Sequence, residues 1–183
     1  NFYIQTKRGS STVAFVFLYR ILERISYSVP LLYASTQREF RGTFNDLKSI
    51  LNAEIEGELS MFKKFLGQGR FIDPLKLQVA QKISFSTVGG YGGNYYDLTC
   101  DRFDKFVSKD RASHEVEIRF SEIPEFLITI RNRFFHSRTG DGKKNITTIE
   151  MPDSDEYFGK INPVVASFLA IVTLQTVAAK YHI

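Results

Sequence analysis

Residues 162–181 read NPVVASFLAIVTLQTVAAKY, a stretch in which apolar side chains would occupy nearly every face of a helix. Asn162 and Pro163 offer a cap and a first-turn proline, so the pattern predicts that the helix begins there. A helix that is apolar nearly all round either lies at the centre of a bundle or buries a second face against a partner subunit. The sequence therefore predicts a helical fold assembled around residues 162–181.

Apolar residues recur at helical spacing in several other parts of the chain. Pro30 would stop the first of these helices, and Thr43 with Asp46 forms the start signal of a long one. Ser121 would cap the helix that leads to His136. The predicted helices cover residues 11–28, 43–66, 74–83, 95–107 and 121–136. Together with the final helix they predict an all-α bundle of about five to six helices.

Two short stretches alternate apolar and polar residues instead. They are residues 114–120, where Val116, Ile118 and Phe120 would share one side, and residues 146–151. We expect these two stretches to pair as one short antiparallel β ribbon.

Residues 87–94 read TVGGYGGN and hold four glycines, which suits a mobile loop. A phosphate cradle would need a Gly-Lys-Ser/Thr sequence after the glycines, or a strand leading into correctly spaced glycines. Neither is present, so the stretch is predicted to be a flexible loop.

The composition indicates one globular domain over residues 1–183. With 43% hydrophobic and 24% charged residues, the chain is not typical of a disordered protein. Seventeen Phe and nine Tyr, against no Trp, mean that aromatic rings must supply much of the buried surface. The single cysteine, Cys100, excludes an internal disulfide and a thiolate metal cluster, and it favours a reducing compartment, the cytoplasm.

Charged side chains argue against a membrane segment in the apolar amino-terminal region. Residues 10–30 contain Arg20, Glu23 and Arg24, whereas a span needs about 18 apolar residues with few or no charges. We therefore expect no membrane association. Because the sequence begins at Asn1 rather than Met, we expect a processed chain or one region of a longer one.

The sequence contains no pattern that is typical of metal-dependent or nucleophilic catalysis. His114, His136 and His182 are scattered without zinc-ligand spacing, and no G-x-S-x-G turn presents a serine nucleophile. Cys100 lies within a predicted helix, as is typical of a small buried hydrophobic residue. We expect neither a metal nor a cofactor.

The candidate site is the stretch IRNRFFHSRTGDGKKN, residues 130–145. Five basic residues against one acidic residue, Asp141, give residues 131–145 a net charge of +4, which equals the net charge of the whole chain. The basic residues are Arg131, Arg133, Arg138, Lys143 and Lys144. A basic segment of this kind, containing a histidine, favours the binding of a polyanion.

Arg131, Asn132 and His136 resemble the Arg-four-residues-His motif of the HEPN ribonucleases, in which a polar residue commonly follows the arginine. The resemblance is carried by residues 131–136, and the helical pattern of the remaining chain agrees with the helical bundle of that superfamily. It implies a metal-independent endoribonuclease that acts as a homodimer, with Arg131 and His136 catalytic and Asn132 supporting them. It further implies a bacterial defence or toxin effector, silenced by an inhibitory or sensor partner protein or by a fused domain.

The residue types support the same chemistry, because RNA carries its own nucleophile, the 2′-hydroxyl. Cleavage needs a base, a positive group for the phosphorane and a proton donor for the leaving oxygen. A histidine such as His136 exchanges protons near neutral pH, and Arg131 can offer two parallel N–H donors to a phosphate. One histidine per motif favours a site shared by two copies. The RNA phosphates would be bound by Arg133, Arg138, Lys143 and Lys144.

Two other interpretations stay open. The chain could be a non-catalytic HEPN-like module that binds RNA or a partner, or a helical interaction subunit of a larger complex that uses residues 163–181 as its interface. Cations at the carboxyl end of a helix also offset the helix dipole, which is a purely structural role for Arg131 and His136.

Overall fold

The computed structural model describes residues 9–36, 39–51, 59–67, 78–86, 90–135, 145–147 and 149–181. Within them are six α-helices and one three-stranded antiparallel sheet. The helices are α1 (Ser11–Thr36), α2 (Phe40–Leu51), α3 (Ser60–Gly67), α4 (Gly92–Arg102), α5 (Ile123–Phe135) and α6 (Ser154–Tyr181). The strands are β1 (Ala80–Ser84), β2 (Phe106–Asp110) and β3 (Glu115–Arg119). The mostly helical architecture predicted from the sequence is confirmed, and the β structure is larger than one ribbon.

The two longest helices, α1 and α6, pack along each other at the centre of the fold. Phe15 of α1 and Phe158 of α6 are buried, and their ring centroids lie 4.4 Å apart. Phe134 and Phe135, at the end of α5, lie against the same Phe158 ring at 4.9 and 6.3 Å. These four rings, here called the aromatic cluster, tie the end of α5 to both central helices.

Asp155, in the first turn of α6, satisfies the amino-terminal end of α1. Its Oδ1 accepts hydrogen bonds from the Thr12 N–H at 2.9 Å and from the hydroxyls of Ser10 and Thr12, each at 2.6 Å. Farther along α6, the side-chain amide of Asn162 donates to the Ser11 carbonyl at 2.8 Å. The first N–H groups of a helix have no partner inside the helix, so Asp155 both caps α1 and aligns it with α6.

The sheet has the order β1–β3–β2, with both outer strands antiparallel to β3. Val116 and Ile118 of β3 are fully buried and alternate with polar residues, so one face of the sheet packs on the core. Phe85, which follows β1, stacks on Tyr157 of α6 with the centroids 5.7 Å apart. Burial raises the pKa of Tyr157 above its usual range, and its hydroxyl lies 3.0 Å from that of Thr99.

The glycine-rich stretch is only partly a loop. Residues 87–89 lie outside the described residues, Gly90 has a φ of 80°, and α4 already begins at Gly92. A Cβ at Gly92 would lie 2.5 Å from the carbonyl oxygen of Phe85, so only glycine allows α4 to approach the sheet this closely. The predicted flexible loop is therefore wrong for residues 92–94, which are helical.

Both prolines that were predicted to bound helices lie inside them. Helix α1 continues past Pro30 to Thr36, and α6 begins at Ser154, nine residues before Pro163. An interior proline costs a helix about 3 kcal/mol. The neighbouring turns are packed in the core through the buried residues Val29 and Val164, so tertiary burial outweighs the local preference.

The helices predicted for the middle of the chain are interrupted. Leu59 has a φ of 63° and precedes the start of α3, so residues 43–66 are not one helix. Residues 80–84 form β1 instead of the end of a helix, while residues 71–77 lie outside the described part. The helix predicted for residues 95–107 ends at Arg102, because Phe106 and Val107 belong to β2, which pairs with β3.

The predicted pairing of residues 114–120 with residues 146–151 is wrong. Strand β3 has β1 on one edge and β2 on the other. Residues 149–150 form a turn, in which the Met151 N–H donates to the Thr147 carbonyl at 3.0 Å. The Glu150 carboxylate accepts from the N–H and the hydroxyl of Thr147, so the alternation in this stretch reflects a closed turn rather than a strand.

Among the described residues, only α6 has the length and hydropathy of a membrane span, over Ser154–Ala178. The charges that argue against a span over residues 10–30 lie outside this helix. A single apolar helix is equally typical of a protein core, and α6 packs on α1 through buried side chains such as Phe158 and Val165.

Phe158→Ala should lower the free energy of unfolding by about 3–5 kcal/mol, because it leaves a cavity in the aromatic cluster. Urea denaturation followed by circular dichroism measures the loss. Phe44→Ala is the matched control: its ring is 56% exposed, and we expect a change of no more than about 0.5 kcal/mol. Equal losses in the two variants would contradict the central role of Phe158.

Asp155→Ala should cost about 1 kcal/mol of stability at neutral pH through loss of the α1 cap. Hydrogen bonds from Ser10 and Thr12 hold the pKa of Asp155 below its ordinary value. Because the folded pKa is depressed, the stabilisation is present above the unfolded pKa and is lost as the pH falls through the folded one. Thermal melts of wild type and variant should therefore converge in acid. Asp104→Ala, on an exposed residue, is the control, and a pH-independent difference for Asp155→Ala would refute the cap.

Candidate functional site

Helix α5 carries the first two residues of the candidate motif. Its formation follows from Pro124 and Glu125 in the first turn and from a buried stripe that runs to Ile130. Arg131 and Asn132 come next, within the last turns of the helix. The predicted helix is confirmed up to Phe135, and His136 lies outside the described residues.

Tyr19 and Asn132 both restrict the orientation of Arg131. Its Nη1 donates a hydrogen bond to Oδ1 of Asn132 at 2.8 Å. Its guanidinium carbon lies 5.1 Å from the ring centroid of Tyr19, which is a cation–π arrangement. Tyr19 itself is only 3% exposed, so the ring cannot move away from the guanidinium without disturbing α1. Arg131 is consequently a half-buried cation with a restricted orientation.

Asn132 contacts the arginine of the motif through the side-chain oxygen that accepts from Arg131. This hydrogen bond orients the guanidinium. A supporting contact of Asn132 with His136 would involve a residue outside the described part of the chain.

A cleft of about 230 Å³ opens between α1 and α5 beside Arg131. Its walls are mostly apolar, and each of the two helices contributes one arginine. The lining residues are Phe15, Val16, Tyr19, Arg20, Arg131 and Phe135. Phe135 is 41% exposed although it belongs to the aromatic cluster, so part of its ring faces the cleft and solvent.

The basic residues that follow α5 lie largely outside the described part of the chain. Arg133 is described and half-buried, whereas Arg138, Lys143 and Lys144 are not described. The two ends of this stretch meet, because the Ile146 N–H donates to the Arg133 carbonyl at 2.9 Å. Ile146 is thus held against the last turn of α5.

The returning end is anchored by a second contact. Arg102 of α4, whose side chain is only 5% exposed, donates to Glu150 at 2.6 Å and also pairs with Asp101. Glu150 in turn closes the turn at Thr147. Helix α4 therefore holds the chain just after the basic stretch.

Other side chains that could take part in catalysis lie away from Arg131. Cys100 is half-buried in α4, and burial raises the pKa of its thiol, which is the opposite of what an active nucleophile needs. His114 stands in the turn before β3, with its ring 6.2 Å from that of Tyr96. In the described part of the chain no group of three or more His, Cys, Asp or Glu side chains could hold a metal ion.

No protein-family model, curated protein or solved structure matches this chain. The functional argument therefore depends on the geometry around Arg131 itself. Sequence reasoning selected Arg131 and Asn132 but missed Tyr19 and Phe15. Only their place at helical spacing on α1 was visible in the sequence, and nothing there indicated that α1 lies beside α5.

Proposed function

We propose that this chain is a metal-independent endoribonuclease of the HEPN type, built as a helical bundle with an added sheet. The observation that carries the proposal is the orientation of Arg131 by Tyr19 and Asn132 at the mouth of a cleft. Phe135 lines the same cleft and directly precedes His136 in the chain. His136 follows in the sequence, outside the described residues, and the proposal assigns it the proton transfers.

In the proposed reaction the 2′-hydroxyl oxygen attacks the adjacent phosphorus while the bond from phosphorus to the 5′-oxygen breaks. One His136 accepts the proton of the 2′-hydroxyl, and a second proton donor protonates the leaving 5′-oxygen. Arg131 stabilises the negative charge that builds up on the phosphorane oxygens. The products carry a 2′,3′-cyclic phosphate and a 5′-hydroxyl, and no step needs a metal or another cofactor.

A restricted guanidinium is well suited to this role. Its two parallel N–H donors match the geometry of two phosphate oxygens, and its charge is permanent at any physiological pH. Because Asn132 and Tyr19 fix its orientation before substrate arrives, little reorganisation is needed in the transition state. Arg133, Arg138, Lys143 and Lys144 contribute phosphate contacts along the RNA.

The need for both an acid and a base favours a homodimer with a shared site. The sequence predicts this contact on residues 163–181, where α6 keeps Leu174 and Val177 exposed. We propose a contact on α1 instead, because α1 lines the cleft beside Arg131. Helix α1 exposes a stripe beside the cleft in which Arg20 and Arg24 lie among apolar residues, and the apolar members are Val13, Phe17, Ile21, Tyr27 and Leu31. A two-fold contact through this stripe would bring two copies of Arg131 into one groove.

The setting that we propose follows from the resemblance of the motif. The enzyme would act in the cytoplasm as a bacterial defence or toxin effector, with RNA as its substrate. An inhibitory or sensor partner protein, or a fused domain, would silence it.

One observation favours the alternative of a partner-binding module. A cleft of about 310 Å³ lies between β1 and α6, lined by apolar side chains that include Val79, Phe120 and Leu174. A partner helix could fill it without any use of Arg131. The chemistry of the RNA ends distinguishes the two functions, because a binding module leaves RNA intact.

Arg131→Ala and His136→Ala should each lower RNA cleavage at least 100-fold, since each removes a group that acts in the transition state. The assay incubates purified protein with total RNA in EDTA and maps the cut ends. Arg119→Ala is a matched control on an exposed arginine outside the site and should cleave normally. A requirement for a divalent ion, or normal cleavage by His136→Ala, would contradict the mechanism.

Activity per protomer should fall on dilution below the dimer dissociation constant, because the monomer lacks one of the two proton-transfer groups. Phe17→Glu places a charge in the α1 stripe, so its activity per protomer should already fall at a higher protein concentration than that of wild type. Leu174→Glu, on α6, should behave as wild type. Light scattering measures the oligomeric state alongside the rate. Constant specific activity in a monomer would refute the shared site.

A further inference from the structure

We propose that the cleft between α1 and α5 is a nucleobase subsite, in which one base of single-stranded RNA lies against Phe135 while the adjoining phosphate meets Arg131. This inference rests on the proposed function and adds to it the part of the substrate that the site selects.

The size of the cleft supports a small occupant. Its volume of about 230 Å³ is below the range of about 300–1,000 Å³ that holds drug-sized ligands. A base is planar and small, and it is the largest rigid unit of a nucleotide. The cleft is thus large enough for one ring system.

The walls provide the surfaces that a base prefers. Phe15 and Phe135 have nearly parallel rings, 5° apart in plane with centroids separated by 6.4 Å. Phe15 is buried and supports the cluster, whereas Phe135 keeps 41% of its surface exposed. Val16, 37% exposed on α1, completes the apolar wall. An exposed ring held rigid by its neighbours stacks a base with little loss of side-chain entropy.

Two arginines adjoin this apolar surface. Arg131 is oriented by Asn132 and stacked on Tyr19, and Arg20 stands at the rim, where it pairs with Glu23 at 2.9 Å. A nucleotide has the same division, with an apolar planar base attached to an anionic phosphate. Placing the base on Phe135 therefore brings the adjoining phosphate towards Arg131, where cleavage is proposed.

Binding of single nucleotides tests the subsite independently of cleavage. We use protein with ¹³C-labelled valine methyl groups and titrate AMP, GMP, CMP and UMP, with ribose 5-phosphate as the probe that lacks a base. At least one nucleotide should shift the Val16 methyl signals at millimolar concentration, while ribose 5-phosphate leaves them unchanged and Val107, on β2, stays unaffected. Equal shifts with ribose 5-phosphate, or none with any nucleotide, would overturn the subsite.

Variants locate the binding. Phe135→Leu should weaken nucleotide binding about tenfold or more, which is the effect of losing one aromatic stacking partner. Phe44→Leu, on an exposed ring of α2, is the matched control and should bind as wild type. Val16→Phe fills the cleft from α1 and should block binding without altering Phe135, and denaturation curves show whether each variant is folded. Normal binding by Phe135→Leu and Val16→Phe would place the base elsewhere.

Cleavage assays then separate the two proposals. The substrate is an RNA whose cut site has been mapped, either intact or lacking the base beside the scissile phosphate. For wild type, KM should be higher for the RNA that lacks the base. For Phe135→Leu, KM should differ much less between the two RNAs. Nucleotide binding at Val16 without any RNA cleavage would contradict the ribonuclease function alone. Cleavage that is indifferent to the missing base would contradict the subsite alone.

Discussion

The contact between Phe15 and Phe158, with ring centroids 4.4 Å apart, is the interaction on which the rest of the structure depends. It joins α1 to α6, and Asp155 aligns the two helices by capping α1. Phe134 and Phe135 pack on Phe158, so the end of α5 is positioned by the same contact. Arg131 then meets Tyr19, which lies one turn beyond Phe15 on α1. The candidate site is therefore a consequence of core packing, and rings too large to repack freely make its geometry definite.

The sheet and α4 also pack against α6, at Tyr157. Phe85 and Tyr157 stack there, and the buried hydroxyl of Tyr157 is paired with that of Thr99. A buried hydroxyl without a partner would be costly, so this hydrogen bond fixes α4 against α6. From α4, Arg102 reaches Glu150 and holds the chain that returns from the basic stretch. The sheet thus acts on the candidate site indirectly, through α4.

The sequence predicted the elements whose periodicity coincides with their burial. The stripe from Ile123 to Ile130 is buried on one side and placed α5, with Arg131 and Asn132 on it, correctly. Prediction from the sequence was wrong where tertiary contacts override local signals. Pro163 lies inside α6 and does not begin it. Ile83, which was assigned to a helix because of its spacing, pairs with Val116 in the sheet. The motif could be identified from the sequence because its residues are neighbours in the chain. The contact of Tyr19 with Arg131 could not be predicted, because it forms only when α1 and α5 pack together.

The setting of Arg131 combines two opposing effects. Half-burial removes water from a charged group, which costs free energy, and the face of the Tyr19 ring and the Asn132 oxygen are among the groups that replace that hydration. A phosphate oxygen that entered the cleft would gain more from a partly dehydrated, oriented guanidinium than from a fully hydrated one. The oriented, half-buried guanidinium thus favours anion binding at this point of the fold, and in the proposed subsite the apolar wall formed by Phe135 and Val16 would select anions that carry a base.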